Sequence, residues 1–592
     1  MPFAYFPINK FFSEFYSLIV ALLIFMIFAI QTKSFKLSSA TIACFAFAIF
    51  MAIQPIFTNI TLLSINLYLC LQFLILGLFS LAITSLANDE NSDSTGMRRF
   101  MLDGLCWGLL ISGVLQSLIG YVQFAGHEAD FGGWVLASNY NDGTGSNIFG
   151  NIGQRNQYIN LISTAAIATI YLFFHKRIKL LTCILCLCIY NAAMTFCAGR
   201  TVFVYFAFAL MVCGLMILKN RKKTQCHDYK KIFQLIAGYV ALLIVTELAL
   251  PFILGLFSTQ ADIPTGIKRL SSEYVGQSTY RRFYEWYKAL IIFAQHPLVG
   301  IGWFQYPKEA IYMMLDKTFY YIPANKRLYT HCHNSILNIM AETGIIGTFI
   351  TIIYGVIYSI YKLLKNCEDG LFIVMLCSPI LMHSCFEYPL WYTYFLVLLV
   401  LLLSFTKPVF TVKKITAIHR TVLAFMVVGI FAIAGQNFSE AFTLLKLSNI
   451  PEDTDAKISN IQALEDIVDQ KYNIFAYSAL LTLDGYLPQN IYDKTSTQGD
   501  IKYIDLLGNV APFPSEIFKQ MLIYHAIGNE DRARYFANLL THTYPALQQD
   551  FIVQMNSCTD CGDLISIISG FAYEDRSPFA KWFDAVHHKQ SY

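Results

Sequence analysis

The sequence carries little charge for its length. Only 14% of its 592 residues are Asp, Glu, Lys or Arg, whereas 56% are hydrophobic, and the mean hydropathy is +0.50. No soluble globular protein needs so large an apolar fraction, so that class is excluded. The formal net charge of +3 points to no particular partner, and we expect no nucleic acid among the partners.

The sequence also lacks a cleavable signal peptide and a full set of cysteine metal ligands. The first apolar run is too long for a signal peptide and has no small-residue cleavage site. Most of the 15 Cys lie inside apolar runs, where they behave as small hydrophobes. Cys558 and Cys561 form a CxxC pair in a soluble stretch. One such pair is too little for zinc, and both a local disulfide and two unpaired thiols remain open.

Long apolar runs dominate the rest of the chain and indicate membrane-spanning helices. Each crossing needs about 20 mainly apolar residues. We place about twelve crossings near residues 15–31, 37–57, 62–87, 101–124, 157–174, 178–197, 201–218, 232–256, 340–362, 370–387, 391–406 and 420–437. The predicted fold class is therefore an all-α, polytopic membrane protein.

Basic loops alternate with loops that carry little positive charge. This pattern predicts on which side of the membrane each loop lies, because basic loops stay in the cytoplasm. The basic loops hold Lys33 and Lys36; Arg98 and Arg99; Lys176, Arg177 and Lys179; residues 219–231; Lys362 and Lys365; and Lys413, Lys414 and Arg420. All other loops and both termini then lie outside.

This topology divides the chain into four regions. We expect N-terminal transmembrane helices at 1–256, a large external catalytic loop at 257–339 and further transmembrane helices at 340–437. A small external helical domain follows at 438–592. Helix-pair patterns at 456–486 and 514–544 make this domain weakly similar to tetratricopeptide repeats.

A histidine-bearing segment, His331-Cys332-His333-Asn334-Ser335, ends the external loop and opens an apolar helix. Asn334 and Ser335 are residue types that cap helices. A histidine fixed at such a helix start, facing water, suits the role of general base. The alternative is a plain capping segment whose histidines are incidental.

Other polar stretches are predicted on the same, external side of the membrane as the histidine-bearing segment. Gly150 to Gln157 contains Gln154 and Asn156, whose amides suit sugar hydroxyls or phosphate, although a polar turn has the same composition. Arg200 lies at a short turn predicted to be external, although basic residues are usually found in cytoplasmic loops. Its position there suggests an anionic partner. Arg282 and Trp286 share one helix face, which also fits an interfacial amphipathic helix.

These stretches, in this order, resemble the O-antigen ligase and polymerase superfamily. The shared marks are the arginine at a short external turn, Arg-x-x-x-Trp, Pro-x-x-Gly-x-Gly at 297–302, and a His-Asn pair followed by Gly344 and Gly347. In that superfamily the histidine of the His-Asn pair is essential, and here it is His333.

A narrower resemblance is to the bacterial protein O-oligosaccharyltransferases of the PglL type. It rests on Gly153 to Asn156 and on the stretch from His383 to Tyr392. Where that family usually has proline after the glutamine, this chain has Arg155.

The resemblance implies a metal-independent transferase without a cofactor, embedded in the bacterial inner membrane with its site facing the periplasm. Its partners would be a glycan on undecaprenyl diphosphate and an acceptor protein, such as pilin or another exported protein. An O-antigen ligase acting on lipid A core, or an O-antigen polymerase, is the alternative. A transporter ranks lower, because the candidate residues gather on one face.

The resemblance also suggests roles for individual residues. His333 would be the base, and the donor would be bound by Arg200, Arg281, Arg282, Gln154 and Asn156. Supporting roles fall to Asn334, Glu387, His383, Trp286 and His331. His331 lies further out on the loop, and we expect it to be less constrained than His333.

Overall fold

The computed structural model describes most of the chain, as residues 8, 11–32, 34–88, 94–137, 148–222, 226–255, 265–267, 275–316, 327–366, 369–413, 416–486, 498–556, 558 and 560–570. Three predicted cytoplasmic lysines, Lys33, Lys223 and Lys414, lie outside the described residues. So do parts of the predicted external loop at 257–339 and of the predicted external domain at 438–592.

Helices make up nearly all of the described structure. In chain order they are α1 Phe11–Gln31, α2 Ser39–Ile53, α3 Leu63–Ala87, α4 Ser94–Phe124, α5 Arg155–Phe174, α6 Leu180–Cys197, α7 Thr201–Asn220, α8 Cys226–Gly255, α9 Val275–Gln295, α10 Tyr306–Tyr312, α11 Ser335–Thr348, α12 Ser359–Asn366, α13 Gly370–Ser384, α14 Thr393–Leu403, α15 Ala417–Leu447, α16 Thr454–Asp469, α17 Ala476–Tyr486, α18 Gln498–Val510, α19 Pro514–Ala526, α20 Glu530–Thr543, α21 Gln548–Met555 and α22 Gly562–Gly570. A π-helical segment at Phe349–Tyr358 joins α11 to α12.

The membrane part agrees with the predicted crossings. Among the described residues, ten helices are long and apolar enough to span a bilayer, and α13 and α14 are shorter apolar helices. These twelve correspond one to one with the predicted spans, which confirms the all-α polytopic class. The helix predicted near 340 begins earlier, at Ser335, because Asn334 caps it.

The basic loops gather at one end of the bundle. Strands β1 (Phe35–Leu37) and β2 (Phe410–Val412) pair antiparallel there and join two of these loops. At the same end, Arg177 pairs with Asp103 (2.6 Å) at the close of α5. Since α5 begins at Arg155, the arginine-bearing and histidine-bearing stretches collect at the opposite end.

Helices α16 to α22 form an outer layer beside the arginine and histidine stretches. Apolar residues of the helix pair predicted at 514–544 are buried between α19 and α20, among them Ile517, Met521, Ala537 and Leu540. A second cluster packs α16 and α17 against the start of α1 and the end of α15. The outer layer is thus anchored to the membrane part at two places.

The orientation of the bundle can be tested by labelling introduced cysteines with an impermeant maleimide. Ser459 is exposed on α16 of the outer layer, and Lys222 is exposed at the basic end. We expect Ser459→Cys to react in intact spheroplasts and Lys222→Cys to react only after permeabilisation.

The unmodified chain, with its 15 native Cys, sets the background. Protection of Ser459→Cys in intact spheroplasts, together with labelling of Lys222→Cys, would show that the bundle has the opposite orientation to the one predicted.

Candidate active site

His333 lies directly before the helix that enters the membrane part. Asn334 Oδ1 accepts hydrogen bonds from the backbone N–H groups of Ile336 (3.0 Å) and Leu337 (3.1 Å), which confirms Asn334 as the N-cap of α11. His333 has a φ of +58°. In a non-glycine residue this costs about 1–3 kcal/mol and persists only where surrounding contacts enforce it.

A buried polar network holds the histidine segment in place. The Cys332 N–H donates to Asn338 Oδ1 (3.1 Å), and Asn338 Nδ2 donates to Glu342 Oε2 (3.0 Å). Glu342 Oε1 in turn accepts from the backbone N–H of Tyr306 (3.1 Å). The sequence analysis missed this network, although two polar residues at i and i+4 on an apolar helix were a signal for it.

The glycine-rich turn at 297–302 is joined to α11 where that helix is interrupted. Gly344 has φ +62° and ψ −164°, which breaks the helical pattern. Four backbone hydrogen bonds use the released groups: Ile301 N to Ala341 O (3.1 Å), Gly302 N to Glu342 O (3.1 Å), Ile345 N to Pro297 O (2.8 Å) and Ile346 N to Leu298 O (3.2 Å). A Cβ on Gly300 would lie 2.3 Å from the Glu342 carbonyl carbon, so only glycine fits there.

Glu387 is the carboxylate on which the candidate residues converge. Its Oε1 accepts from Arg282 Nη2 (2.6 Å) and from Asn156 Nδ2 (3.2 Å), and its Oε2 lies 3.8 Å from His333 Nε2. Its backbone carbonyl accepts from Ser335 Oγ (3.1 Å). Burial raises the pKa of the Glu387 carboxyl, while the Arg282 charge opposes that rise.

Arg282 belongs to a group of three neighbouring arginines. Arg200 is the N-cap residue of α7. Burial lowers its pKa, and the neighbouring charges of Arg282 and Arg155 lower it further. Guanidinium groups stay protonated at neutral pH, so three positive charges lie close together. Arg155, the departure from the family pattern, is therefore part of a site in which the sequence analysis did not include it.

His333 is neutral at physiological pH. Burial, followed by the charge of Arg282, lowers the pKa of its imidazole from 6.5 to about 4. Nδ1 lies 3.3 Å from the His331 carbonyl oxygen. We assign the proton to Nδ1, which leaves the Nε2 lone pair towards Glu387.

His331 is more constrained than expected. Its side chain is buried and its ring packs against Tyr388, with Trp391 at 5.7 Å between ring centroids. Its Nδ1 accepts a hydrogen bond from the His333 N–H (3.2 Å). The expectation of a loosely held His331 is therefore wrong, because the residue supports the strained backbone of its neighbour.

Arg281 is turned towards the residues that precede the histidine segment. Its guanidinium stacks over the Tyr329 ring at 3.7 Å and donates to the Arg327 carbonyl (3.0 Å). The structure thus places Arg281 against the chain that leads into the histidine segment, whereas the next residue, Arg282, contacts Glu387.

The remaining predicted residues lie around this centre. Gln154 Oε1 accepts from the Tyr392 hydroxyl (3.4 Å). Trp286 lies one helical turn after Arg282, and its indole N–H has no partner within the described part of the chain. His383 lies deeper, fully buried and hydrogen-bonded to the Tyr205 hydroxyl. The His383 imidazole therefore packs below the site, and the His383 backbone carbonyl accepts a hydrogen bond from the Glu387 N–H (2.9 Å).

A large apolar cavity of about 530 Å³ begins beside the site. His331, Tyr388 and Trp391 line one end of it. From there it follows α2, α3 and α14 through the bundle towards Ala40 and Leu403, near the basic end.

A separate group in the outer layer has the composition of a metal site. The ligand atoms of His525, Cys558 and Cys561 lie within 4.8 Å of one another, among the residues described. The two cysteines are joined by a disulfide, which settles the alternative that the sequence left open. Sulfurs bonded to each other are not thiolates, so this group is not ready to bind a metal.

Two protein families match long segments of the chain. Residues 181–352 match the family described as O-Antigen ligase, and residues 371–555 match the family described as Virulence factor membrane-bound polymerase, C-terminal. The first segment contains Arg200, Arg282 and His333, and the second contains Glu387.

One curated relative is the ComP-specific O-oligosaccharyltransferase of Acinetobacter baylyi. It is 27% identical over 272 residues, which are 45% of this chain and 44% of that protein. The match therefore spans less than half the length of the relative. No solved structure matches the chain.

The ionisation of His333 can be measured by its modification with diethyl pyrocarbonate, which acylates neutral imidazole. We expect the rate at His333, followed by peptide mass spectrometry, to be half-maximal near pH 4, below the ordinary value of about 6.5. Because the Arg282 charge disfavours protonation, Arg282→Ala should move the midpoint to higher pH. A midpoint at or above the ordinary value in the unmodified chain would contradict this electrostatic picture.

Proposed function

We propose that this chain is an O-oligosaccharyltransferase, because two long segments match the O-antigen ligase and membrane-bound polymerase families and one curated relative is an O-oligosaccharyltransferase. It would move a glycan en bloc from undecaprenyl diphosphate to Ser or Thr hydroxyls of exported proteins such as pilin. One observation carries the proposal. A neutral imidazole and an arginine from different elements meet at Glu387, beside the mouth of an apolar cavity.

The arginines suit a diphosphate leaving group. Arg282 uses one N–H on Glu387 and has further donors in a planar fork that matches phosphate oxygens. Arg200 and Arg155 add positive charge nearby. Charge fixed in a partly buried site stabilises the negative charge that develops on the departing diphosphate, so the proposed step does not depend on a metal.

His333 suits the acceptor hydroxyl. In the proposed step its Nε2 takes the hydroxyl proton while the oxygen attacks the anomeric carbon of the glycan. The bond from that carbon to the diphosphate oxygen breaks, and undecaprenyl diphosphate leaves with the electron pair. Glu387 Oε2, at 3.8 Å, is placed to stabilise the imidazolium that forms.

The apolar cavity suits the carrier lipid. It joins the site to the interior of the helix bundle, and apolar side chains such as Phe47, Leu69 and Leu399 line most of its length. Burying an isoprenoid chain there is favourable in proportion to the apolar area removed from water. The diphosphate of such a lipid would then lie at the arginines.

The alternative acceptors are lipid A core and a second glycan repeat unit, as for an O-antigen ligase or polymerase. A reconstituted assay separates them. The purified chain is supplied with lipid-linked glycan and an exported protein such as pilin, and a glycan-sized mass increase is sought on a Ser or Thr peptide. Transfer only to lipid A core or to another glycan would favour the alternatives.

Replacing His333 tests the proposed base. His333→Ala should reduce transfer about 10²–10⁴-fold while membrane insertion stays normal, as measured by acceptor glycoforms in mass spectrometry and by immunoblot. His331→Ala should be milder, because His331 supports the backbone of His333 instead of taking the proton. If the His331 variant were inactive and the His333 variant fully active, the assignment of the base to His333 would be wrong.

Replacing the arginines with lysine separates charge from geometry. Arg200→Lys and Arg282→Lys keep the charge but lose the planar fork. We expect kcat/KM for the lipid-linked donor to fall about tenfold or more in each variant. Arg534→Lys, at an exposed ion pair of the outer layer, is the matched control. Full activity of both site variants would exclude the bidentate contact.

A further inference from the structure

A second cleft lies between the external loop and the outer layer, away from Glu387. It has a volume of about 390 Å³, within the usual range for small-molecule sites. Its lining, here called the tyrosine cleft, consists of Tyr312, Asp505, Asn509, Gln520, Asp531, Arg532, Tyr535 and Phe536. Tyr312 is the last residue of α10, and the others belong to α18, α19 and α20.

The polar groups of the tyrosine cleft are held in fixed positions. Asp505 accepts hydrogen bonds from Gln520 Nε2 (3.0 Å) and from the Tyr524 hydroxyl, and Arg532 Nη1 lies 3.7 Å from Asp505 Oδ2. The absence of a side chain at Gly508 makes room for Gln520, since a Cβ there would lie 2.5 Å from Gln520 Oε1. Acceptors and donors therefore stand side by side before any ligand arrives.

Two aromatic rings flank these polar groups. The rings of Tyr312 and Tyr535 are 6.5 Å apart between centroids and tilted by 38°. Tyr535 is 42% exposed, although it stands above the buried core residue Phe536. Such an exposed ring beside a rigid set of charged and amide groups offers an apolar face and hydrogen bonds within one small space.

We propose that the tyrosine cleft is a carbohydrate-binding subsite. A sugar ring presents C–H groups on its faces, which pack on tyrosine rings. Its edge presents hydroxyls, which both donate and accept hydrogen bonds. An extended peptide would need an exposed strand edge and an amphipathic helix would need a long apolar groove, and neither lines this cleft.

The position of the cleft fits the outer sugars of a transferred glycan, and in this respect the inference rests on the proposed function. Helix α10 begins at Tyr306, whose N–H is bonded to Glu342 below the histidine segment, and ends at Tyr312. At 1.5 Å per residue the helix spans about 9 Å from Tyr306 to Tyr312, so the cleft lies at the end of α10 away from the histidine segment. The outer sugars of an oligosaccharide would reach it, whereas a single sugar on the diphosphate would not.

The test compares two donors with the full-length chain in nanodiscs. One donor is the native lipid-linked oligosaccharide of the source strain, and the other carries a single sugar. Tyr535→Ala should raise the KM for the oligosaccharide donor about tenfold, with the monosaccharide donor and the acceptor unaffected. Tyr535→Phe should stay close to the unmodified chain, because the ring remains.

The matched control is Tyr472→Ala, which removes another exposed tyrosine of the outer layer. An increase in acceptor KM, equal effects on both donors, or no effect of Tyr535→Ala would each overturn the carbohydrate subsite.

Direct binding separates this inference from the proposed function. The glycan released from the lipid-linked pool by mild acid is the probe, and saturation-transfer NMR is the measurement. Binding that Tyr535→Ala and Asp531→Asn both weaken supports the subsite, even if the chain transfers nothing. Absence of binding to the unmodified chain would overturn the subsite even if transfer is observed.

Discussion

The backbone contact between the turn at 297–302 and the broken helix α11 is the constraint on which the site depends. The break at Gly344 releases two carbonyls and two N–H groups, and the turn supplies a partner for each of them. Buried backbone groups without partners are costly, so helix and turn can only be placed together. This contact fixes the start of α11, and therefore the position of His333.

Electrostatics then determine what the site can hold. Glu387 offsets part of the positive charge of Arg282, with Arg200 and Arg155 nearby. Burial and the charge of Arg282 keep the His333 imidazole neutral, because protonation would add another positive charge to a partly buried group. In the proposed function, the arginine charge that would attract an anionic donor therefore also helps to keep the proposed base unprotonated.

The sequence was sufficient to predict the helices, but not the contacts that join side chains from different helices at the site. Apolar run length located the twelve apolar helices found among the described residues, and the Asn334 cap and the helix pairs of the outer layer followed from local patterns. The convergence on Glu387 joins side chains more than 100 residues apart in the chain, which no local pattern encodes. The buried position of His331 was missed for the same reason, since it depends on Tyr388 and Trp391.

The outer layer and the membrane part share the walls of the site. Phe304 packs against Trp391 on one side and against Tyr477 of α17 on the other, at 6.0 and 5.6 Å between ring centroids. Ile311 of α10 lies in the core of the outer layer. The segment from Phe304 to the end of α10 is therefore held between two folded parts, and its position depends on both. Rigid support of this kind is what allows a strained residue such as His333 to keep its conformation.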